Sequence, residues 1–217
     1  MTDASRRLPL TIWVGIGLFL VLLALMYLVS VGEYGRARQK SLPVIAQISN
    51  FTLTNQNNQA ITLADLTNHV WVADIIFTRC AGSCPIMSTK MKSLQTALPP
   101  TSDAKLVTLT CNPSYDSPEI MKRYGERYGA DFKRWMFLTG SSKELAALAT
   151  AGLKLGATPV APKDRTYPDD FFVHSTIFVV VDKQTRLRGI FQTEGEGVNW
   201  EKVKPQILAT IKELEGS

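Results

Sequence analysis

The pattern of hydrophobic and polar positions divides the chain into two unlike parts. Leu10 to Val31 reads "LTIWVGIGLFLVLLALMYLVSV", 22 residues without a charge. At 1.5 Å per residue such a run can cross a hydrocarbon core of about 30 Å as a helix. Trp13 and Tyr27 lie near its ends, where amphipathic rings settle. The run exceeds the apolar core of a signal peptide and lacks a clear small-residue cleavage site, so an uncleaved anchor is expected. Beyond it the apolar runs are short and change period. "FTLTNQNNQAITLADL" alternates on both sides of a polar Asn/Gln turn and predicts a hairpin. Val70–Thr78 and Ala104–Thr110 are mostly apolar and β-branched, as in strands buried on both faces.

Helical spacing appears between these strands. It is expected from Pro85, with Ile86, Met91, Leu94 and Leu98 as the buried positions. Another helix begins at Pro118 in "SPEIMKRYGERYG", and Ser141 to Glu144 has capping-box spacing before "LAALATAG". "WMFLTG" is a short strand between the last two. "LKLGATPVAPKDRTYPDDFF" has three prolines and no period, and reads as a surface insertion. "STIFVVVD" and "LRGIFQTE" form a hairpin around Lys183-Gln184-Thr185, and "NWEKVKPQILATIKELEG" closes as a helix. Parallel strands with covering helices, then an antiparallel pair, give an α/β sandwich with an N-terminal β-hairpin and one transmembrane helix. The expected boundaries are 1–9 for a short cytoplasmic segment, 10–31 for the anchor, 32–47 for a tether and 48–217 for the domain.

Charge adds little. Of the net +5, three lie in residues 1–40, where Arg6, Arg7, Arg36, Arg38 and Lys40 outnumber Asp3 and Glu33, leaving +2 for the other 177 residues. No lysine-rich stripe suggests nucleic acid as a partner. Membrane lipid is the expected contact of the anchor and its basic flanks. Those flanks are basic on both sides, so they do not orient the span.

The chemistry lies in "IFTRCAGSCPIM". Cys80 and Cys84 occupy a strand-to-helix turn. Free N–H groups and the positive end of the helix dipole there favour thiolate, the form that attacks disulfides or binds metal. A metal needs more donors than two sulfurs. His69 precedes the central strand, at the end away from the cysteines, and reads as a turn residue. His174, in "DDFFVHSTIFVVVD", precedes a core strand whose leading loop converges on the same end of the sheet, which makes it a third-ligand candidate. Two thiolates and an imidazole suit Cu(I) and also serve zinc, with Cys111 as a possible fourth donor. Haem-attachment, phosphate-loop and zinc-hydrolase motifs are absent from the sequence. Asn50-Phe51-Thr52 fits a glycosylation sequon, a frequent chance match.

"FTRCAGSCPIMSTKM", "NPSYDSPEIMKRYGERYGA", "WMFLTG" and "FFVHSTIFVVVD" follow in the order seen in SCO/SenC proteins, and the chain resembles that family from about Ile48 to Leu214, together with the anchor. The resemblance implies a membrane-anchored, thioredoxin-like copper chaperone for cytochrome c oxidase assembly. It implies copper, as Cu(I), Cu(II) or both, held by Cys80, Cys84 and His174, and delivery to the dinuclear copper centre of oxidase subunit II. A copper donor and a thiol reductant are implied as further partners, because a disulfide removes both sulfur ligands. The domain would face the periplasm from a bacterial inner membrane. The mitochondrial inner membrane, facing the intermembrane space, is the alternative, but no arginine- and serine-rich presequence supports it.

Asp116 matches a family aspartate and would act behind the ligands; its alternative role is capping the helix at Ser117-Pro118. Asn112 stands where the family usually has aspartate, and Cys111 lies outside the usual pattern as a core residue or an extra redox partner. The rival function is enzymatic, with Cys80 and Cys84 as the redox pair of a thiol–disulfide oxidoreductase acting on oxidase cysteines or another periplasmic target. Such enzymes commonly use C-x-x-C with a facing proline, whereas this chain has C-x-x-x-C and a histidine. Thr78-Arg79-Cys80 leaves a peroxidase of the same broad fold as a third reading.

Overall fold

The computed structural model describes residues 10–37, 42–159, 163 and 172–216. Contacts divide the chain into two compact units, one holding α1 and the other running Pro43–Ser217, and each is described by itself. The first unit's helix, α1 (Leu10–Ala37), has 28 residues. Its Thr11–Leu28 stretch is long and apolar enough to cross a membrane and is unburied within the molecule. A signal sequence passes the same test. Arg6, Arg7, Arg38 and Lys40 lie outside the described residues.

The second unit is the α/β sandwich that the pattern predicts. Its elements are β1 (Ala46–Gln47), β2 (Thr52–Asn55), β3 (Ala60–Thr62), a 3₁₀ turn at Leu63–Leu66, β4 (Trp71–Ile76), α2 (Ser83–Ala97), β5 (Lys105–Thr110), α3 (Pro118–Arg127), β6 (Trp135–Thr139), α4 (Ser142–Ala146) continuing as a π turn at Ala147–Gly152, β7 (Ala157–Pro159), β8 (Phe172–His174), β9 (Ile177–Val181), β10 (Arg186–Gln192) and α5 (Trp200–Glu215). Among the described residues, eight strands form one sheet in the order β1-β10-β9-β4-β5-β6-β2-β3, and β7 and β8 pair separately. β4, β5 and β6 are parallel. β9 runs antiparallel to β4 and to β10.

All six residues of β4 are buried because the sheet is covered on both faces. Trp71, Ala73 and Ile75 join Val107, Leu109, Leu145 and Leu148 in a core on one side. Alternation sends Val72, Asp74 and Ile76 to the other side, where α2, α3 and α5 contribute Met87, Met91, Met121 and Ile207. On that side Ser88 of α2 and Tyr124 of α3 share a hydroxyl–hydroxyl bond of 2.8 Å. Gly125 lets α3 approach closely, since a Cβ there would lie 2.7 Å from both Phe132 and Phe137 ring atoms.

The structure differs from the sequence pattern in two places. α2 begins at Ser83, which puts Pro85 at its third position rather than its first. Proline is tolerated there because no first-turn N–H has an intrahelical acceptor. Met87, on one helical face with Met91 and Leu94, is in the core, while Ile86 is 49 % exposed. Residues 157–159 and 172–174 of the expected insertion form the β7–β8 ladder; Val160–Pro162 and 164–171 lie outside the described residues.

The β9–β10 turn is held by one carboxylate. Asp182 accepts from the backbone N–H groups of Gln184 and Arg186 and from the guanidiniums of Arg186 and Arg188. Thr185 takes the left-handed conformation, φ 60°, as a three-residue hairpin loop requires at its last position. Burial raises the Asp182 pKa, but the Arg186 backbone N–H and the two arginines outweigh it, and the net shift is downward. A depressed carboxylate pKa stabilises the fold above the unfolded value of about 3.9 and loses that contribution as pH falls through the folded value. Asp182→Asn leaves the buried Arg188 without its anion and should cost about 3 kcal/mol at neutral pH. Urea unfolding of both proteins checks this, with the gap expected to close below about pH 4.

Candidate metal centre

The buried strand β4 delivers the chain to a tight turn. The Cys80 N–H donates to the Phe77 carbonyl at 3.2 Å, and the Gly82 N–H donates to Cys80 Sγ at 3.4 Å. Gly82 caps α2, so Cys84 is its second residue. Cys84 is fully buried and Cys80 half-buried. The Cys80 thiol and the Phe77 backbone both lie near enough to Cys84 to act on its charge. One sulfur is therefore sealed into the α2 side of the core and its neighbour faces the surface.

A helix start alone should favour thiolate at Cys84, yet burial pushes this thiol far up, and the adjacent Cys80 adds to the shift. The helix dipole is worth about 1 kcal/mol or less when solvent-screened, whereas removing water from an anion costs several times that. Burial accordingly wins.

Asp116 fixes the approach to Cys80. It is fully buried. Its carboxylate accepts from the Thr78 hydroxyl and backbone N–H and from the Thr110 hydroxyl. Thr110 Oγ1 in turn accepts from the Asn112 N–H at 2.9 Å. One side chain thus joins the ends of β4 and β5 to the loop before α3. Burial raises its pKa, opposed by the bonds from Thr110 and Thr78 and by nearby Arg79. Capping of α3 falls instead to Ser117, which accepts from the Ile120 N–H. Asn112 contributes its backbone carbonyl, accepting from Tyr115 and Asp116 N–H groups.

Cys111 follows β5, with its N–H on the Ile76 carbonyl at 2.8 Å. It packs against the core on the α4 side and lines a cavity of about 350 Å³ with Ile75, Pro113 and Leu145. Burial, and then the Asp116 carboxylate, push its thiol up to about 12. Its N–H and that of Cys80 sit on adjacent carbonyls, but β5 alternation turns it to the face opposite α2.

His69 lies just before β4, at the end away from the cysteines, with its N–H on the Leu66 carbonyl. His174 ends β8, paired with Ala157. Pairing from Trp71↔Val181 to Ala73↔Val179 points the start of β9 toward the end of β4. The backbone of His174 therefore belongs to the same end of the sheet as Cys80 and Cys84. Its side chain lies outside the described structure. Among the described residues no group of three His, Cys, Asp or Glu could hold a metal ion. The paired thiols thus account for two soft donors, and Cys111 does not complete a triad with them. Sequence reasoning missed Thr78 and Thr110; the available signal was hydroxyls at the ends of two otherwise apolar strands.

Residues 40–208 match the family model SCO1/SenC. The chain belongs to the SCO1/SenC family. A SCO1 protein homolog of Bacillus subtilis is 30% identical over 141 residues, covering 64% of this chain and 70% of that protein. The solved structure of BsSco, a member of the Sco family of cytochrome c oxidase assembly proteins in which a disulfide switch was identified, is 26% identical, with TM-score 0.65 over 80% of this chain and 95% of that one. Bradyrhizobium japonicum ScoI with copper bound shares the fold at TM-score 0.63, with 22% identity over 78% of this chain and 99% of that one. The sandwich described above is thus the expected thioredoxin-like fold.

If Asp116 ties two strand ends together rather than capping α3, Asp116→Ala should cost about 1–3 kcal/mol, because it strands buried hydroxyl and N–H donors. Ser117→Ala should cost about 1 kcal/mol or less as a lost cap. Chemical denaturation of both variants decides between the roles, and the reverse order would restore Asp116 as the cap.

Proposed function

We propose that this SCO1/SenC protein is a copper metallochaperone that holds copper between Cys80 and Cys84, with His174 as the third donor, and assists assembly of the dinuclear copper centre in cytochrome c oxidase subunit II. The observation that carries the reading is the pair of neighbouring free thiols in the turn after β4, one buried and one half-buried. Paired thiolates are soft ligands for Cu(I). The β4–β9 pairing supports His174, because it brings the backbone before β9 to that end of the sheet. Copper serves here as cargo. Transfer needs a sulfur that a partner can reach, which Cys80 supplies, and a framework that holds the other, which α2 supplies around Cys84. Asp116 acts behind the ligands by fixing Thr78, two residues before Cys80.

The paired free thiols also support a second reading, a membrane-anchored thiol–disulfide oxidoreductase using Cys80 and Cys84 on oxidase cysteines or another target. A copper donor and a thiol reductant belong to the first reading and a reducible partner to the second. In both, α1 anchors the chain in the bacterial inner membrane and the domain faces the periplasm.

Metal competition on the fully reduced chain separates the two. Cu(I) accepts two-coordinate sulfur ligation, whereas Cu(II) demands nitrogen and a larger ligand set. His174→Ala should weaken Cu(II) far more than Cu(I), and Cys80→Ser or Cys84→Ser should abolish both. A reductase would show weak copper binding in every version and a changed exchange rate in His174→Ala. Equal retention of both copper states by wild type and His174→Ala would sink the ligand assignment. Cys111→Ala should keep copper stoichiometry unchanged and cost about 1 kcal/mol through a small cavity; copper loss would make Cys111 a ligand. For topology, a reporter that works only in the periplasm, fused after Ser217, should be active. A cytoplasmic signal overturns the orientation.

A further inference from the structure

Beside Cys80 the surface holds a cleft of about 310 Å³, lined among the described residues by Thr78, Arg79, Tyr115, Ile120, Arg123, Tyr124 and Arg127. Three guanidiniums thus converge on one cleft, with no carboxylate among those lining residues. Arg123 and Arg127 are four apart on α3, a like-charge spacing that is unfavourable in a helix. Glu119 stands next to Arg123, with its carboxylate accepting from Ser117 at 2.7 Å. The buried Asp116 lies behind Arg79, occupied by the two threonines. Neither lines the cleft.

Arg79 is the residue before Cys80, and its guanidinium lies over the Tyr115 ring, 4.8 Å from the centroid. Stacking holds the planar fork in place, and such forks match carboxylates bidentately. Two groups with apolar surface line the same cleft: Tyr115, 42 % exposed, and the partly exposed Ile120. Tyrosine and arginine around a small apolar centre are the composition of protein-binding surfaces.

We propose that the Arg79–Arg123–Arg127 cleft docks an acidic polypeptide segment of the protein whose sulfur meets Cys80. This rests on the reading of Cys80 as the thiol open to partners and names the chemistry of that partner. Any protein that brings a sulfur to Cys80 lays its neighbouring residues over this cleft, where carboxylates meet the Arg123 and Arg127 side chains and an apolar residue covers Tyr115.

The test uses the full-length reduced chain in a non-ionic detergent. The probe is a synthetic peptide with one cysteine capped by thionitrobenzoate and flanked by aspartates; its twin carries asparagines. The Cys80 thiolate forms a bond to the peptide sulfur, and the bond between that sulfur and thionitrobenzoate breaks. Thionitrobenzoate leaves with the electron pair and is read by absorbance, while the thiol proton goes to buffer. At low salt the aspartate peptide should react about tenfold faster than its twin, and salt should erase the difference. In Arg123→Gln/Arg127→Gln the preference, taken as the ratio of the two peptides' rates in the same variant, should fall below about twofold.

Equal rates in the wild type overturn the proposal, as does a preference that survives in the double variant. Loss of preference in inorganic phosphate but not in chloride of equal ionic strength assigns the cleft to small anions and overturns it too. Loss of preference in phosphatidylglycerol bilayers but not in phosphatidylcholine gives the cleft to lipid headgroups and likewise overturns the proposal. Copper binding fails or holds independently: copper retained by Cys80→Ser would sink the metal reading and leave the peptide rates interpretable.

Discussion

β9 pairs antiparallel with β4, and the proposed three-donor site depends on that direction. β4 ends one turn before Cys80, and antiparallel pairing brings the start of β9 to that same end. Had β9 paired in parallel, the residue preceding it would have come to the His69 end. The pairing is robust because β4 and β9 are central strands with four or more buried residues each. A strand buried on both faces cannot slip without exposing apolar surface on one side or burying polar groups on the other.

On this frame the local turn divides labour between two sulfurs. Cys84 belongs to the core, with Met87 and Met91 following it along α2. Cys80 belongs to the surface, beside Arg79 and Tyr115. What keeps the turn from drifting is Asp116, whose carboxylate spans Thr78 and Thr110. A buried carboxylate is costly when unpaired; here three donors satisfy it, and its burial is the cost of joining two strand ends and a loop at one point.

The strands β4 and β5 were legible because burial on both faces leaves a continuous apolar run, and both hairpins because polar turns interrupt alternating runs. The start of α2 was misplaced by two residues, since proline is compatible with every position of a first turn; Met87 rather than Ile86 is the core residue because it shares a helical face with Met91 and Leu94. β1 and the β7–β8 ladder are too short for a period, and distant partners define them. In the site, the paired cysteines were legible from their spacing at a strand-to-helix turn. The Thr78–Asp116–Thr110 tie was not, because it joins residues up to 38 positions apart, and hydroxyls at strand ends do not reveal which distant carboxylate they bond. Nor was the pKa of Cys84, where helix position and burial compete and only the fold reveals the burial.

The long reach of the β4–β9 pairing also has a temporal side. The thiols and their turn lie within a β-α-β stretch, β4-α2-β5, that can form from local chain. The segment that carries His174 is made 90 residues after Cys84. At synthesis rates of about 5–20 residues per second, this separates them by about 5–18 s. For that interval the nascent chain carries both sulfurs without the histidine proposed as their third donor.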